Sequence, residues 1–147
     1  MLPIADYGGT NIWGFEDVKN LFASGGITDY NVLDLETGYD LLKPIPGRKY
    51  GLGICMDLLE HTTNPFLVAK NIYLSLKKDA LLFVTVPWIW EVHKYPGDYW
   101  RFTVDGVIQL FPKMKVLEAG FLRDEHRDAN DFPEPLPRER VIVIFIK

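Results

Sequence analysis

An α/β fold, with a mostly parallel sheet covered by helices on both faces, is predicted by three observations. Strand-like and helix-like segments alternate through most of the chain. Two strand-like runs close it without a helix between them. "YGLGICM" (50–56) and "ALLFVTV" (80–86) are almost continuously apolar, as strands buried on both faces are. The 147 residues have the length of one domain, 1–147, which buries roughly 68–70% of its unfolded surface and needs no disulfide or metal staple.

Each element has a local reason. "LPI" is a short apolar strand that runs to Asp6 and gives way to "DYGGTN", where the Gly-Gly pair marks a turn. Phe15, Val18, Leu21 and Phe22 recur at helical spacing until "SGG" supplies a glycine stop. "YNVLDLE" (30–36) reads as a second strand ending near Asp34. The two prolines and two glycines of "TGYDLLKPIPGRK" leave room for no more than a short edge strand around 39–42. Asn64-Pro65 is a helix opening, with asparagine as the cap and proline where its missing N–H costs nothing; Phe66, Ala69, Ile72, Tyr73 and Leu76 line one face behind it. Pro87 is expected to end the strand at 80–86. Thr103 would cap a helix carrying Val104, Val107, Ile108 and Phe111, and "MKVLEAGFL" and "RVIVIFIK" are the closing strands.

Composition excludes several classes. A single cysteine, Cys55, in an apolar run rules out an internal disulfide and fits a reducing, cytoplasmic setting; no metal-ligand set is expected. No apolar run approaches the 18 or so residues of a membrane span, and the opening lacks a basic-then-apolar leader. A net charge of −4 with scattered Lys and Arg disfavours nucleic acid as a partner, and oligomerisation is left open.

In an open parallel sheet, ligands bind along the rim formed by the strands' carboxyl ends. That rule gathers Asp6, Gly8, Gly9, Thr10 and Asn11 after the first strand and Asp34 with Leu35 after the second. It also gathers Met56, Asp57, Leu58, Glu60 and His61 after the third, and "HKYPGDYWRFT" (93–103) after the strand at 80–86. An acid ending the second strand suits both hydroxyls of a ribose. No phosphate-binding lysine accompanies the glycines and acids surround them, so a cationic, phosphate-free nucleoside suits the rim; S-adenosylmethionine (SAM) has that chemistry. A nicotinamide cofactor is disfavoured because no G-x-G-x-x-G follows the first strand. Bland readings stand beside these: Asp57 as a turn cap, Glu60 as a partner for backbone N–H groups, Asp98 paired with Arg101, Trp100 and Phe102 in the core.

"GICMDLLEHTTNPFLVAKNIYLSLKKDALLFVTVP", continued by "HKYPGDYWRFTVDGVIQLF", resembles class I SAM-dependent methyltransferases of the methyltransferase type 11 kind, over about residues 30–112. The resemblance implies a Rossmann-like sheet of seven strands with an antiparallel strand near the end. It implies that Asp6 to Asn11 hold the methionine part and ribose, Asp34 and the adjoining Leu35 the ribose side, and Met56 to Leu58 the neighbouring part of the cofactor. Methyl transfer to a small-molecule or glycan-like acceptor follows from it, with His93, Asp98 and Tyr99 as candidate catalytic groups; a base is served by His93, or by Asp98 if burial raises its pKa. The alternative is a methyltransferase-fold binding or regulatory module without catalysis. The sequence departs from the family at "DYGGTN", at Asp79-Ala80 where Gly-Gly is usual, and at Tyr50-Gly51 where Phe-Asp is usual. It also opens directly at the first strand, as a truncated gene, an open site or a degenerate relative would.

Overall fold

The computed structural model describes residues 3–9, 15–47, 49–94, 97–124 and 138–147. In chain order the elements are β1 (Ile4–Tyr7), α1 (Phe15–Ser24), β2 (Tyr30–Leu33), β3 (Tyr50–Met56), α2 (Pro65–Ser75), β4 (Leu76–Ile89), α3 (Val104–Leu110), β5 (Lys115–Asp124) and β6 (Arg138–Ile146). The helix starts form as their residues dictate. Asn64 Oδ1 accepts from the Leu67 N–H at 3.0 Å with Pro65 behind it, and Thr103 Oγ1 accepts from the Gly106 N–H at 3.0 Å.

The sheet has the order β2-β1-β3-β4-β6-β5. β2, β1, β3 and β4 are parallel, and β6 runs antiparallel to both β4 and β5. The carboxyl ends of the first four strands therefore share one rim. Side chains alternate along a strand, and this assigns the helices to faces. Tyr7 on β1 reaches α2, where its hydroxyl is 2.6 Å from Ser75 Oγ. Asp6 points the other way, to Tyr30, whose ring lies 5.8 Å from Phe22 of α1. Helices thus cover both faces, with α2 and α3 packed together on one of them. At the centre of that face Gly53 admits Leu82, Tyr7 and Leu76; a Cβ there would lie 2.8 Å from Leu82 Cδ1. Phe145 on β6 and Phe111 close the same core, their rings 5.1 Å apart.

The sheet has six strands among the described residues, one fewer than the resemblance implies, and the segment at 39–42, which had room for no more than a short edge strand, is irregular. Leu41 turns into the core there, and its carbonyl accepts from Asn71 Nδ2 at 2.9 Å instead of joining a ladder. β4 does not end at Pro87: that residue pairs with Arg140, and the strand reaches Ile89 across a register irregularity that absorbs the missing N–H. Asp79 takes the left-handed conformation, φ +61°, that a glycine would supply before β4's long paired run. Its N–H donates to the Lys147 carbonyl at 2.9 Å, so a short polar side chain serves where the family uses glycine.

Candidate functional site

The first loop on the rim is built around a buried acid. Asp6 is 3% exposed; Tyr30 donates its hydroxyl to Asp6 Oδ2, and Oδ1 has no hydrogen-bond partner among the described residues. Burial raises the Asp6 pKa and the nearby charge of Asp34 adds to it, while the Tyr30 hydroxyl opposes the shift. Gly8 holds a left-handed φ of +77°, donates its N–H to the Leu33 carbonyl at 3.0 Å and lets Leu58 lie against its Cα. A side chain on Gly9 would overlap the Asp6 carboxyl. The two glycines thus have separate reasons: one for conformation, one for close approach. Thr10 and Asn11, expected in the same loop, lie outside the described residues.

A carboxyl whose pKa is raised by folding weakens the folded state as pH climbs past its unfolded value, and costs nothing below it. Asp6→Asn, which keeps an acceptor for Tyr30, is therefore expected to raise the ligand-free thermal midpoint at pH 7. The gain should fade as both are scanned toward about pH 3. A lowered midpoint at pH 7 would mean that the ionised Asp6 is held by the protein and not strained by it.

Asp34 follows β2, the neighbour of β1. It caps the 3-10 turn Leu35–Thr37: Oδ1 accepts from the Glu36 N–H at 2.8 Å, and Thr37 Oγ1 accepts from the Asp34 N–H at 3.0 Å. The Thr37 N–H also turns toward the Asp34 side chain, closing a capping box. Leu35 is 72% exposed beside it. Met56 and Leu58 are half-buried at the end of β3. Asp57 is on the same rim with φ +46°, but its charge is taken: Thr85 Oγ1 donates to Oδ1 at 3.0 Å and Arg140 Nε to Oδ2 at 2.7 Å. Of the three acids expected to form an acidic pocket, Asp6 keeps an oxygen without a partner among the described residues, Asp34 is bonded only to backbone N–H groups of its own turn, and Asp57 is paired with a cation. The antiparallel register of β6 brings Arg140 to the rim, opposite Pro87.

The 93–103 segment folds back onto the turn after β3. Tyr99 N–H donates to the Glu60 carbonyl at 2.8 Å, and Trp100 Nε1 donates to the Thr62 carbonyl at 2.8 Å. Asp98 and Arg101 pair as expected: both Arg101 Nη atoms donate to the carboxylate, Nη2 to Oδ2 at 2.8 Å. That bonding holds the Asp98 carboxyl down at about 2. The raised pKa that a base would need is not met at Asp98. It accepts the His93 N–H at 3.0 Å and lies 3.3 Å from His93 Nδ1. Tyr99 is 57% exposed. Phe102 is buried as expected, but Trp100 is 40% exposed, because its indole is drawn out to the Thr62 carbonyl. Tyr95 and Pro96 lie outside the described residues.

Glu60 is fully buried, yet neither of its oxygens has a well-formed partner among the described residues. Desolvation, then the charge of Asp57, pushes its pKa up to about 8, with its own backbone N–H offsetting a little. The reading of Glu60 as a partner for backbone groups therefore fails. Sequence reasoning also missed Tyr30 and Arg140 as neighbours of the rim acids. Tyr30 carried a weak signal, since it begins the strand that ends in Asp34. Arg140 carried none.

No family profile matches the sequence, and no curated protein is similar enough to count as a relative. Solved structures are similar in shape. A chain from the complex of the Haloferax volcanii Trm112 methyltransferase activator with a candidate methyltransferase superposes with a TM-score of 0.73 at 14% identity, over 99% of this chain and 81% of that one. The Burkholderia thailandensis 1,6-didemethyltoxoflavin-N1-methyltransferase, solved with S-adenosylhomocysteine, gives 0.70 at 10% identity, covering 99% and 71%. The [4+2]-cyclase SpnF gives 0.63 at 12% identity, covering 99% and 74%. Strand order, the single reversed strand and these superpositions agree: the chain has the Rossmann-like fold of class I SAM-dependent methyltransferases.

Proposed function

We propose that this protein binds SAM on the rim formed by β1, β2 and β3 and transfers its methyl group to a small-molecule or glycan-like acceptor. The observation that carries this reading is Asp6. A buried carboxylate oxygen without a donor among the described residues, beside two glycines, calls for a hydrogen-bond donor or cation from a ligand. A ligand with a charged amino group fits that need, and Asp34 Oδ2, at the end of the adjacent strand, fits a ribose hydroxyl. Phosphate does not fit beside two acids. When bound, SAM supplies an electrophilic methyl group; the protein's task is to align the acceptor with it. In this reading His93 takes the acceptor's proton, Asp98 orients the His93 ring through Nδ1, and the exposed Tyr99 lines the approach. Asp98 is thus a positioning residue and not a base.

The second reading, a methyltransferase-fold module without catalysis, has two supports. The Haloferax volcanii complex pairs a protein of this fold with an activator, and Arg140 neutralises Asp57 on the rim. Thermal denaturation separates the two. S-adenosylhomocysteine at a hundred times its dissociation constant stabilises a binder by about 2.7 kcal/mol, a rise of roughly 5–11 °C for a domain near this size. An unmoved midpoint would reject the cofactor assignment and favour the module.

A further inference from the structure

Two histidines and a glutamate meet where the 93–103 segment crosses the turn after β3. The potential ligand atoms of Glu60, His61 and His93 lie within 4.8 Å of one another. His61 Nε2 is 3.1 Å from His93 Nε2 and 3.6 Å from Glu60 Oε1. The outer nitrogens fix the tautomers. His61 Nδ1 bonds to the Gly97 carbonyl, and His93 Nδ1 lies 3.2 Å from the Glu91 carbonyl and 3.3 Å from Asp98 Oδ2. Carbonyls and carboxylates only accept, so both Nδ1 atoms must carry the proton. With the proton on Nδ1, each ring has its Nε2 free to serve as a ligand, and the two Nε2 atoms lie 3.1 Å apart. The buried Glu60 carboxylate, without a well-formed partner, adds a third acceptor to the same space. The three groups thus share one small space in which a single bound cation would engage all of them.

We propose that Glu60, His61 and His93 bind a divalent transition-metal ion, with Zn²⁺ the best match to two imidazoles and a carboxylate. Ligands at about 2.1 Å from a tetrahedral Zn²⁺ stand about 3.4 Å apart. Two edges of the triangle, 3.1 and 3.6 Å, bracket that spacing, and the third is no longer than 4.8 Å. Histidine ligands whose Nδ1–H is held by a carbonyl or carboxylate are the usual support for such a metal, and the Gly97 and Glu91 carbonyls provide it here, with Asp98 Oδ2 close to His93 Nδ1. Among the described residues three protein ligands converge, and the His93 side chain is 36% exposed, so a water or an exogenous ligand can reach the cluster. That is the arrangement of a site that takes a water or an exogenous ligand. With Nε2 on the metal, His93 has no lone pair for a proton, so this inference replaces its role as a base. Metal binding itself does not depend on the cofactor reading.

The test is titration of the metal-stripped full-length protein with Zn²⁺ alone, and with Co²⁺ followed by its visible absorption, without SAM or its product. One ion per chain is expected. His93→Ala and Glu60→Gln should each weaken Zn²⁺ binding by more than the roughly 10–100-fold typical of losing an outer-sphere partner, and Asp98→Asn by about that outer-sphere amount. Circular dichroism confirms that each variant is folded, and His93→Ala decides the matter if Glu60→Gln is not. Absence of stoichiometric binding would overturn the proposal. So would undiminished binding in folded His93→Ala, or imidazole NMR signals showing one shared proton that Zn²⁺ does not displace. A failed titration leaves the S-adenosylhomocysteine result untouched, so the two proposals fall separately.

Discussion

Replacing Arg101 with alanine is expected to lower the thermal midpoint by roughly 6–12 °C. The Asp98 side chain is 1% exposed, and Arg101 donates to both of its oxygens. Removing one partner of a buried pair strands the other charge, which costs about 3–5 kcal/mol. Arg101 is itself a quarter exposed, so the lower end of that range applies. It also donates to the carbonyls of Trp90, Glu91 and Trp100, so the variant loses the tie that fastens the segment after β4 to the one before α3. The sign of the pH dependence follows from the direction of the shift. Asp98 is held at about 2, chiefly by the Arg101 hydrogen bonds, below its ordinary 3.8. The pair's contribution is therefore complete above about pH 4 and is lost as pH falls toward 2. The gap between wild type and Arg101→Ala should narrow over that window. A variant within about 2 °C of wild type at pH 7 would show that water replaces the guanidinium at little cost.

Asp34→Asn should abolish the stabilisation by S-adenosylhomocysteine while leaving the ligand-free midpoint in place. The choice of asparagine comes from the structure. Asp34→Ala would also delete the cap on Leu35–Thr37, at a cost of about 1 kcal/mol, and the two losses would be confounded. Asparagine keeps an acceptor for the Glu36 N–H and presents a donor where Oδ2 would accept from a ribose hydroxyl. The measurement is the ligand-induced shift of each variant at one ligand concentration. A full shift in Asp34→Asn would remove the ribose assignment and leave Asp6 as the remaining acid of the proposed cofactor site.

Much of the architecture was legible because it depends on short-range features. Helix starts at Asn64-Pro65 and Thr103, the glycine stop at "SGG" and the buried strand 50–56 all came out as their residues suggest. Where local rules erred, a partner distant in sequence had intervened. Pro87 stayed in its strand because β6 pairs across it, and the seventh strand implied by the resemblance is missing among the described residues, where Asn71 holds the Leu41 carbonyl. Asp79 held a position where the resembled family has glycine.

For the site the division is sharper. The sequence by itself determined which residues leave the strands' carboxyl ends, since strand order along the chain and parallel pairing bring Asp6, Asp34, Asp57 and the 93–103 segment to one rim. Only the tertiary structure decided their electrostatic state. Asp6 is buried with an oxygen unpaired among the described residues, Asp57 is neutralised by an arginine 83 residues away, Asp98 is held ionised by Arg101, and Glu60 is buried beside two histidine rings. The reason is physical: connectivity fixes where a side chain emerges, but its charge depends on water and on neighbours within a few ångströms, and those come from elements the local sequence does not contain.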